Sequence, residues 1–337
     1  MKIGWNQKMS SLTRIAGTGS SVPVRPVRNA EVASRLKIDE HYISRMSGIH
    51  TRYWANENEE CSLLADKASR RAMDVAGVRP EEIDVILVST TSPDMVFPST
   101  ACLLQKRLGL RGAAAFDVSA SCTGFLYGLS MADGFIRSGQ YNRCLVVAAE
   151  VKSRYLNLSD LGTSILFGDG AGAAVVVRGD EGKSGILKIR LFSDGKYGDL
   201  VRIPAGGSRL PASPETVSQN LHTLQLRGKA IFRLAVKRLS SAIHEVCDEE
   251  NITVDEVSQF IFHQANGRLL NQLAVRLGIR KERLFSIIGQ FGNTSSASLP
   301  IALDCANRQG NLKAGDLVFL GTFGGGLTWG TALMRWG

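Results

Sequence analysis

Arg107-Leu-Gly-Leu-Arg111, followed by Phe116-Asp-Val118, returns later in the chain as Arg276-Leu-Gly-Ile-Arg280, followed by Phe285-Ser-Ile287. Upstream of these copies, Glu82-Ile-Asp-Val-Ile-Leu-Val-Ser89 has a counterpart in Glu256-Val-Ser-Gln-Phe-Ile-Phe-His263, each after a helical pattern. Downstream, Cys144-Leu-Val-Val-Ala-Ala149 runs to Gly168-Asp-Gly-Ala-Gly172, as Leu317-Val-Phe-Leu320 runs to Gly324-Gly-Gly-Leu-Thr-Trp-Gly330. Three correspondences in one order point to duplication, and a period of about 170 residues is far too long for a solenoid unit. Each copy is therefore expected to be half of a fold.

Within each half, short apolar strands alternate with longer amphipathic helices, the pattern of a mainly parallel sheet covered by helices. Helices are expected over 62–76, 125–138, 230–246, 269–277 and 299–306. In the second of these, Phe125, Leu129, Ala132 and Ile136 recur at helical spacing on one face. The fold class is α/β, built from two duplicated βαβ-rich halves, 12–180 and 185–337. Their strand ends and loops are expected to meet at one central site.

The chain of 337 residues is 44% hydrophobic and 21% charged, which excludes a disordered, collagenous or coiled-coil protein. Forty Lys and Arg against 31 Asp and Glu leave a formal charge of +9, favouring an acidic partner or an anionic substrate. No aromatic-interleaved basic stretch marks a nucleic-acid site. Residues 1–12 carry Lys2 and Lys8 but no apolar run of leader length, and runs such as 144–149 are far too short to cross a bilayer. A soluble, cytoplasmic protein without membrane insertion is expected. The six cysteines are scattered without a Cys-x-x-Cys pair, so neither a disulfide framework nor a metal site is readable.

Cys122 stands apart from the other five. The strand-like Ala113-Ala-Ala-Phe-Asp-Val118 ends, small residues follow, and a helix begins, so the thiol meets the positive end of a helix dipole that favours thiolate. A buried cysteine in a strand–helix turn is the plainer alternative. His263 ends the apolar run Phe260-Ile-Phe262, at the repeat position of Ser89, and strand ends in layered α/β folds are where crevices form. It is either a crevice imidazole or a core histidine. In Gly292-Asn-Thr-Ser-Ser-Ala-Ser298, Asn293 either donates an amide hydrogen bond into the crevice or shapes the turn. Gly324-Gly-Gly326 could offer an unshielded backbone N–H to an oxyanion. No Gly-Lys-Ser/Thr follows either glycine loop, so a phosphate cradle is not read here. Together the residues suggest acyl transfer through a cysteine thioester. A papain-like hydrolase shares Cys, His and Asn but is expected in a secreted, disulfide-bearing fold.

Ser121-Cys-Thr-Gly-Phe125, Phe262-His-Gln-Ala-Asn266, Gly292-Asn-Thr-Ser-Ser-Ala-Ser298 and Gly324-Gly-Gly-Leu-Thr-Trp-Gly330, in this order, resemble the β-ketoacyl-acyl carrier protein synthase III family of the thiolase superfamily. The similarity covers 14–336. It implies a five-layered αβαβα thiolase-like fold, no permanently bound cofactor, and a homodimer. It further implies that Cys122 takes an acyl group from an acyl-coenzyme A, with the amides of Cys122 and Gly325 as oxyanion hole. Malonyl-acyl carrier protein would then lose carbon dioxide, its enolate held by His263 and Asn293, in the step that initiates fatty-acid synthesis. Phe97 resembles the residue that reaches across the dimer to wall the acyl pocket, and Arg154 one near the coenzyme A nucleotide. Arg233, Arg268 and Arg276 match basic positions where acidic carrier protein docks, beside Arg227, Lys229, Lys237 and Arg238. Tyr42 stands where the family commonly has tryptophan over adenine, and Met46 where arginine is usual. These departures keep open a pathway-specific ketosynthase or acyltransferase, priming secondary metabolites or biotin precursors, with a different donor or acceptor. A noncatalytic synthase partner need not keep all three of Cys122, His263 and Asn293.

Overall fold

The computed structural model describes residues 12–179 and 184–337. The leaderless reading of the first eleven residues, and the domain boundary at 180, fall outside them.

Two five-stranded sheets are built by the same rule. The first uses β1 (Thr13–Ser21), β2 (Val85–Ser89), β3 (Ala114–Val118), β4 (Arg143–Glu150) and β5 (Gly170–Arg178), in the order β1-β5-β4-β2-β3. The second uses β6 (Gly185–Ser193), β7 (Gln259–Phe262), β8 (Leu284–Phe285), β9 (Leu317–Gly324) and β10 (Thr328–Arg335), in the order β6-β10-β9-β7-β8. Three pairs of helices repeat likewise: α1 (Cys61–Ala76) with α4 (Gly228–Glu249), α2 (Thr100–Leu108) with α5 (Gly267–Leu277), and α3 (Gly124–Arg137) with α6 (Ser298–Arg308).

The sheets are mixed, which corrects the expectation of mainly parallel ones. In the first, β4/β2 and β2/β3 are parallel while β1/β5 and β5/β4 are antiparallel; the second repeats this pairing. The cause is the connection. Only short helical turns separate β4 from β5, and no long crossover helix intervenes to return the chain parallel.

Burial sorts the elements into layers. Leu64, Ala68, Ala72 and Leu104 of α1 and α2 join Ile86, Val88 and Val147 in one apolar cluster on the outer face of the first sheet. Leu239, Ile243, Leu270 and Leu273 of α4 and α5 do the same with Phe260 and Phe319 on the second. Between the sheets, Phe125, Leu129 and Ile136 of α3 and Leu299, Ile301 and Leu303 of α6 pack with strand residues of both. The result is helix, sheet, helix, sheet, helix. Because α3 and α6 touch both sheets, their N-termini lie at the seam between the halves. The seam is also polar at one point: buried Asp304 on α6 accepts from Thr18 Oγ1 at 2.9 Å and Ser20 Oγ at 2.6 Å on β1.

One small segment stands outside the layers. Pro26–Arg28 pairs with Thr51–Tyr53 and carries the helices Asn29–Leu36 and Glu40–Ser47 between them. Buried Arg52 ties it down, donating to Asn29 Oδ1 and to the Ile165 carbonyl, both at 2.8 Å.

α1 packs closely on β1. A Cβ at Gly19 would stand 2.3 Å from the Ala68 carbonyl oxygen and 2.5 Å from the Ala72 nitrogen, both backbone atoms that cannot step aside. Gly134, on the exposed side of α3, has nothing within 4 Å. Gly19→Ala should therefore cost about 2 kcal/mol or more in denaturant unfolding, while Gly134→Ala should stabilise by roughly 0.5–1 kcal/mol through lower helix-forming cost. Equal effects of the two substitutions would refute this account of the α1/β1 contact.

Candidate active site

β3 ends at Val118, and the chain turns sharply through Ser121–Thr123 before α3 begins at Gly124. Ser121 holds a left-handed backbone with φ +50, a conformation that costs energy in a residue other than glycine. The turn is clamped by the second half of the molecule. Thr322 Oγ1 donates to the Cys122 carbonyl at 2.9 Å, and Thr328 Oγ1 donates to the Ala120 carbonyl at 3.0 Å. The glycine loop comes so close that a Cβ on Gly324 would lie 2.8 Å from the Cys122 nitrogen. The Gly325 N–H donates to Ser121 Oγ at 3.2 Å.

Cys122 is half-buried, with Ser295 Oγ 3.6 Å from its sulfur. Burial pushes its thiol up from the ordinary value and the Glu150 charge adds to this, while Ser295 and Lys152 oppose them. The resting group is thus a thiol. The helix-terminus reading alone pointed toward thiolate; desolvation, invisible in the sequence, acts against it.

His263 follows β7 directly, its backbone N–H donating to the Gly321 carbonyl at 2.8 Å. Its Nδ1 meets Ser298 Oγ at the start of α6, and that oxygen also accepts the Gln264 N–H at 3.1 Å. The Ser298 hydroxyl has no other acceptor among the described residues, so we assign its proton to Nδ1, which leaves Nε2–H as a donor. Burial lowers the imidazole to about 4, so it is neutral at physiological pH. Asn293 is held on three sides: its N–H donates to the Leu166 carbonyl at 2.9 Å, its carbonyl accepts from Gly168 at 3.0 Å, and its Oδ1 accepts from Ser295 N–H at 2.9 Å. With Oδ1 occupied, Nδ2 keeps its two donors and has no partner among the described residues. Cys122, His263 and Asn293 line one cavity of about 1060 Å³.

Beneath Cys122 lies a polar network that sequence reading missed. Glu150, the last residue of β4, is fully buried. It accepts from Ser295 Oγ at 3.0 Å, Ser296 Oγ at 2.9 Å, Thr91 Oγ1 at 3.2 Å and Ser92 Oγ, and pairs with Lys152 Nζ at 3.2 Å. Burial alone would raise this carboxyl, but Lys152, Ser92 and the Thr91 N–H overcome it and hold Glu150 below its usual value. A signal for the site existed in the repeat. The offset separating Ser89 from His263 also pairs Glu150 with Gly324, Cys122 with Ser296, and Ser121 with Ser295, whose φ is likewise positive at +54.

The other expected residues divide. Tyr42 and Met46, on helix Glu40–Ser47, line the cavity, as do the exposed Arg233 and Arg268; Asn266 Nδ2 holds the Met46 carbonyl at 3.1 Å. Lys229, Arg233 and Lys237 follow at four-residue spacing on one exposed face of α4, and Arg276 is exposed on α5. Arg238 instead pairs with Asp194 at 3.6 Å and lies over the Trp329 ring. Arg154 does not line the cavity; it is exposed, and its Nη2 donates to the Asn56 and Glu59 carbonyls at 2.9 and 3.2 Å. Phe97 is 86% exposed beside Val96 at 95%, so it is no part of this chain's core. Among the described residues no His, Cys, Asp or Glu cluster suits a metal ion, and no helix is long and apolar enough to cross a membrane.

Comparison with known proteins gives the chain's family. The family profile described as 3-oxoacyl-[acyl-carrier-protein (ACP)] synthase III matches residues 116–195, and that of its C-terminal part matches 247–336. A β-ketoacyl-[acyl-carrier-protein] synthase III of Caldanaerobacter subterraneus subsp. tengcongensis is 43% identical, over 96% of this chain and 97% of its own. The crystal structure of 3-oxoacyl-[acyl-carrier-protein] synthase III from Aquifex aeolicus VF5 superposes with a TM-score of 0.89 at 39% identity, covering 96% of this chain and all of the other. The priming β-ketosynthase of the R1128 polyketide biosynthetic pathway matches with a TM-score of 0.89 at 34% identity, over 97% of each chain.

His263 carries a pH signature. Its unfolded form takes a proton near 6.5 and its folded form near 4. As pH falls through that window the unfolded chain binds the extra proton, so folded-state stability drops by on the order of 3 kcal/mol. Asp169, raised by burial from 3.8 to about 6, contributes in the opposite direction over nearly the same interval. Comparing wild type with His263→Asn cancels that second contribution. Urea unfolding at pH 7 and pH 4.5 should show the larger loss in wild type, and identical pH slopes would contradict a buried neutral imidazole.

Proposed function

The chain belongs to the 3-oxoacyl-[acyl-carrier-protein] synthase III family, and from that premise we propose that it is the condensing acyltransferase that starts fatty-acid synthesis, with Cys122 as its acyl acceptor. The observation that carries the assignment of roles is one cavity holding a thiol, a neutral imidazole and an amide whose N–H groups are unpartnered among the described residues. That set lacks a charged acid or base and is rich in neutral donors, which suits a reaction whose hard step is making an enolate.

In the first half-reaction the Cys122 sulfur attacks the carbonyl of an acyl-coenzyme A thioester as its proton is released. The developing oxyanion is received by the N–H groups of Cys122 and Gly325. In the free site Ser121 Oγ occupies the Gly325 N–H, so the substrate oxygen replaces the serine hydroxyl there. Collapse expels the coenzyme A thiolate, which takes up a proton, and leaves the acyl group on Cys122. Malonyl-acyl carrier protein follows. Its carbon–carboxylate bond breaks, carbon dioxide leaves, and the bonding electron pair becomes an enolate whose oxygen is held by His263 Nε2–H and Asn293 Nδ2–H. The enolate carbon attacks the acyl-cysteine, and the β-ketoacyl product departs as Cys122 recovers its proton. The chemistry requires no resident cofactor, since the coenzyme A thioester is a substrate.

The partners follow from surface chemistry. Exposed Arg233, Lys229 and Lys237 on α4, with Arg268 and Arg276 on α5, form a basic rim for an acidic carrier protein. Val96 and Phe97 stand exposed near β3, the edge strand of its sheet. An open edge with apolar side chains suits a second copy of this chain, with Phe97 entering the partner's acyl pocket. A cytoplasmic location belongs to the same reading. Tyr42 and Met46 at the cavity wall favour a second version of the same chemistry, in which a different primer or a carrier-bound donor serves a specialised pathway.

Incubation with a panel of acyl-coenzyme A thioesters and intact-protein mass spectrometry should reveal an acyl adduct that maps to Cys122 and disappears in Cys122→Ala. His263→Ala and Asn293→Ala should still acquire the adduct but lose about 100- to 1000-fold in malonyl decarboxylation. No adduct from any thioester would sink the covalent mechanism, and decarboxylation untouched in both variants would sink the enolate assignment.

A further inference from the structure

Lys152 is a buried cation that the mechanism above does not use. It begins the short helical turn Lys152–Tyr155 after β4, is 4% exposed, and lines the Cys122 cavity together with Thr91. The other cations on that cavity, Arg202, Lys229, Arg233 and Arg268, are all exposed. Much of the remaining wall is apolar, including Ile165, Phe167, Ile203 and Leu224. An ammonium on an apolar inner wall has to have its hydrogen-bonding capacity met.

The ammonium has three N–H groups. One is taken by Glu150 at 3.2 Å and one by Thr91 Oγ1. The Tyr155 ring lies 5.8 Å away, and no further acceptor is present among the described residues. The third N–H is thus left for water or for substrate. Charge decides which substrate. Glu150 already neutralises Lys152, so a carboxylate brought into the cavity would be a third, uncompensated buried charge. A neutral oxygen meets the donor without that cost, whereas a plain alkyl chain covers the N–H and leaves it unpaired.

We propose that Lys152 makes the Cys122 cavity select primers bearing a neutral oxygen acceptor, such as a hydroxyl or keto group, over plain alkyl acyl groups. The proposal rests on Cys122 being acylated in this cavity. Glu150 connects the two groups, since its carboxylate reaches Lys152 on one side and, through Ser295, the Cys122 sulfur on the other.

The test compares length-matched thioesters: butyryl-, 3-hydroxybutyryl-, 4-hydroxybutyryl- and succinyl-coenzyme A, with Cys122 acylation rates followed by mass spectrometry. Because every donor acylates the same thiol, rate ratios cancel changes in thiol reactivity. The better hydroxyacyl donor should exceed butyryl in wild type, and that ratio should fall about tenfold or more in Lys152→Met. Lys152→Met strands Glu150, so the double variant Glu150→Gln with Lys152→Met, which removes both charges, is measured alongside and should show the same loss. A ratio unchanged in either folded variant overturns the proposal, as does succinyl outpacing both hydroxyacyl donors. Absence of adduct from all four donors instead overturns the acyl-cysteine reading on which it rests.

Discussion

The carboxylate of Glu150 is the interaction on which the rest of the site depends. It is fully buried, and its hydrogen-bond donors come from both halves: Thr91 and Ser92 after β2, Ser295 and Ser296 before α6. Lys152 balances its charge. Taking away this one group would leave a buried ammonium and several hydroxyls without an acceptor, a loss of about 3–5 kcal/mol by comparison with broken buried pairs. Its geometric consequence matters more. Ser295 sits in a left-handed backbone conformation, and its hydroxyl bond to Glu150 helps to hold it there. In that pose Ser295 N–H occupies Asn293 Oδ1, while Ser295 Oγ faces the Cys122 sulfur. One buried carboxylate therefore sets both the amide of one half-site and the contact to the thiol of the other.

Duplication explains how such a seam arises. Each half makes a left-handed serine, then a one-turn helical segment, then a central helix touching both sheets: Ser121–Thr123 into α3, and Ser295–Ala297 into α6. The paired positions have since taken different work. Cys122 answers Ser296, His263 answers Ser89, and Gly324 answers Glu150. At the last pair the reason is steric as well as chemical. The strand end that carries a side chain in the first half must be bare in the second, because a Cβ on Gly324 would strike the Cys122 backbone.

Much of this was legible in the chain. Helical periodicity placed α1, α3, α4, α5 and α6 to within a few residues, since each is long and has one strongly apolar face. The motif residues were singled out by different local signals: Cys122 by its strand–helix turn of small residues, His263 by its place at the end of an apolar strand, and Asn293 by its glycine-led polar loop. What escaped was whatever depends on the space between segments far apart in sequence. Glu150 reads as the polar end of an apolar strand, and nothing local says that five hydroxyls will surround it. The protonated state of Cys122 depends on desolvation by the opposite half. Nothing local says that Arg154 Nη2 will hold the carbonyls of Asn56 and Glu59. The parallel or antiparallel sense of β5 hung on a connection whose compactness a hydropathy pattern does not record.

The arrangement of charge bears on how decarboxylation is promoted. The exposed cations lie at the mouth, whereas the interior holds the neutral imidazole of His263, the amide of Asn293 and a Glu150–Lys152 pair whose charges cancel. Such a gradient attracts anionic substrates to the rim but offers a malonyl carboxylate no net positive charge once inside. A free cation there would stabilise the carboxylate and so oppose its loss as neutral carbon dioxide. On the proposed mechanism the charge is cancelled, and the neutral donors of His263 and Asn293 are left to meet the thioester oxygen, where negative charge grows as the bond breaks. The pairing of Lys152 with Glu150 thus protects the reaction as well as the fold, because the lysine contributes a hydrogen-bond donor to the cavity without contributing a net charge.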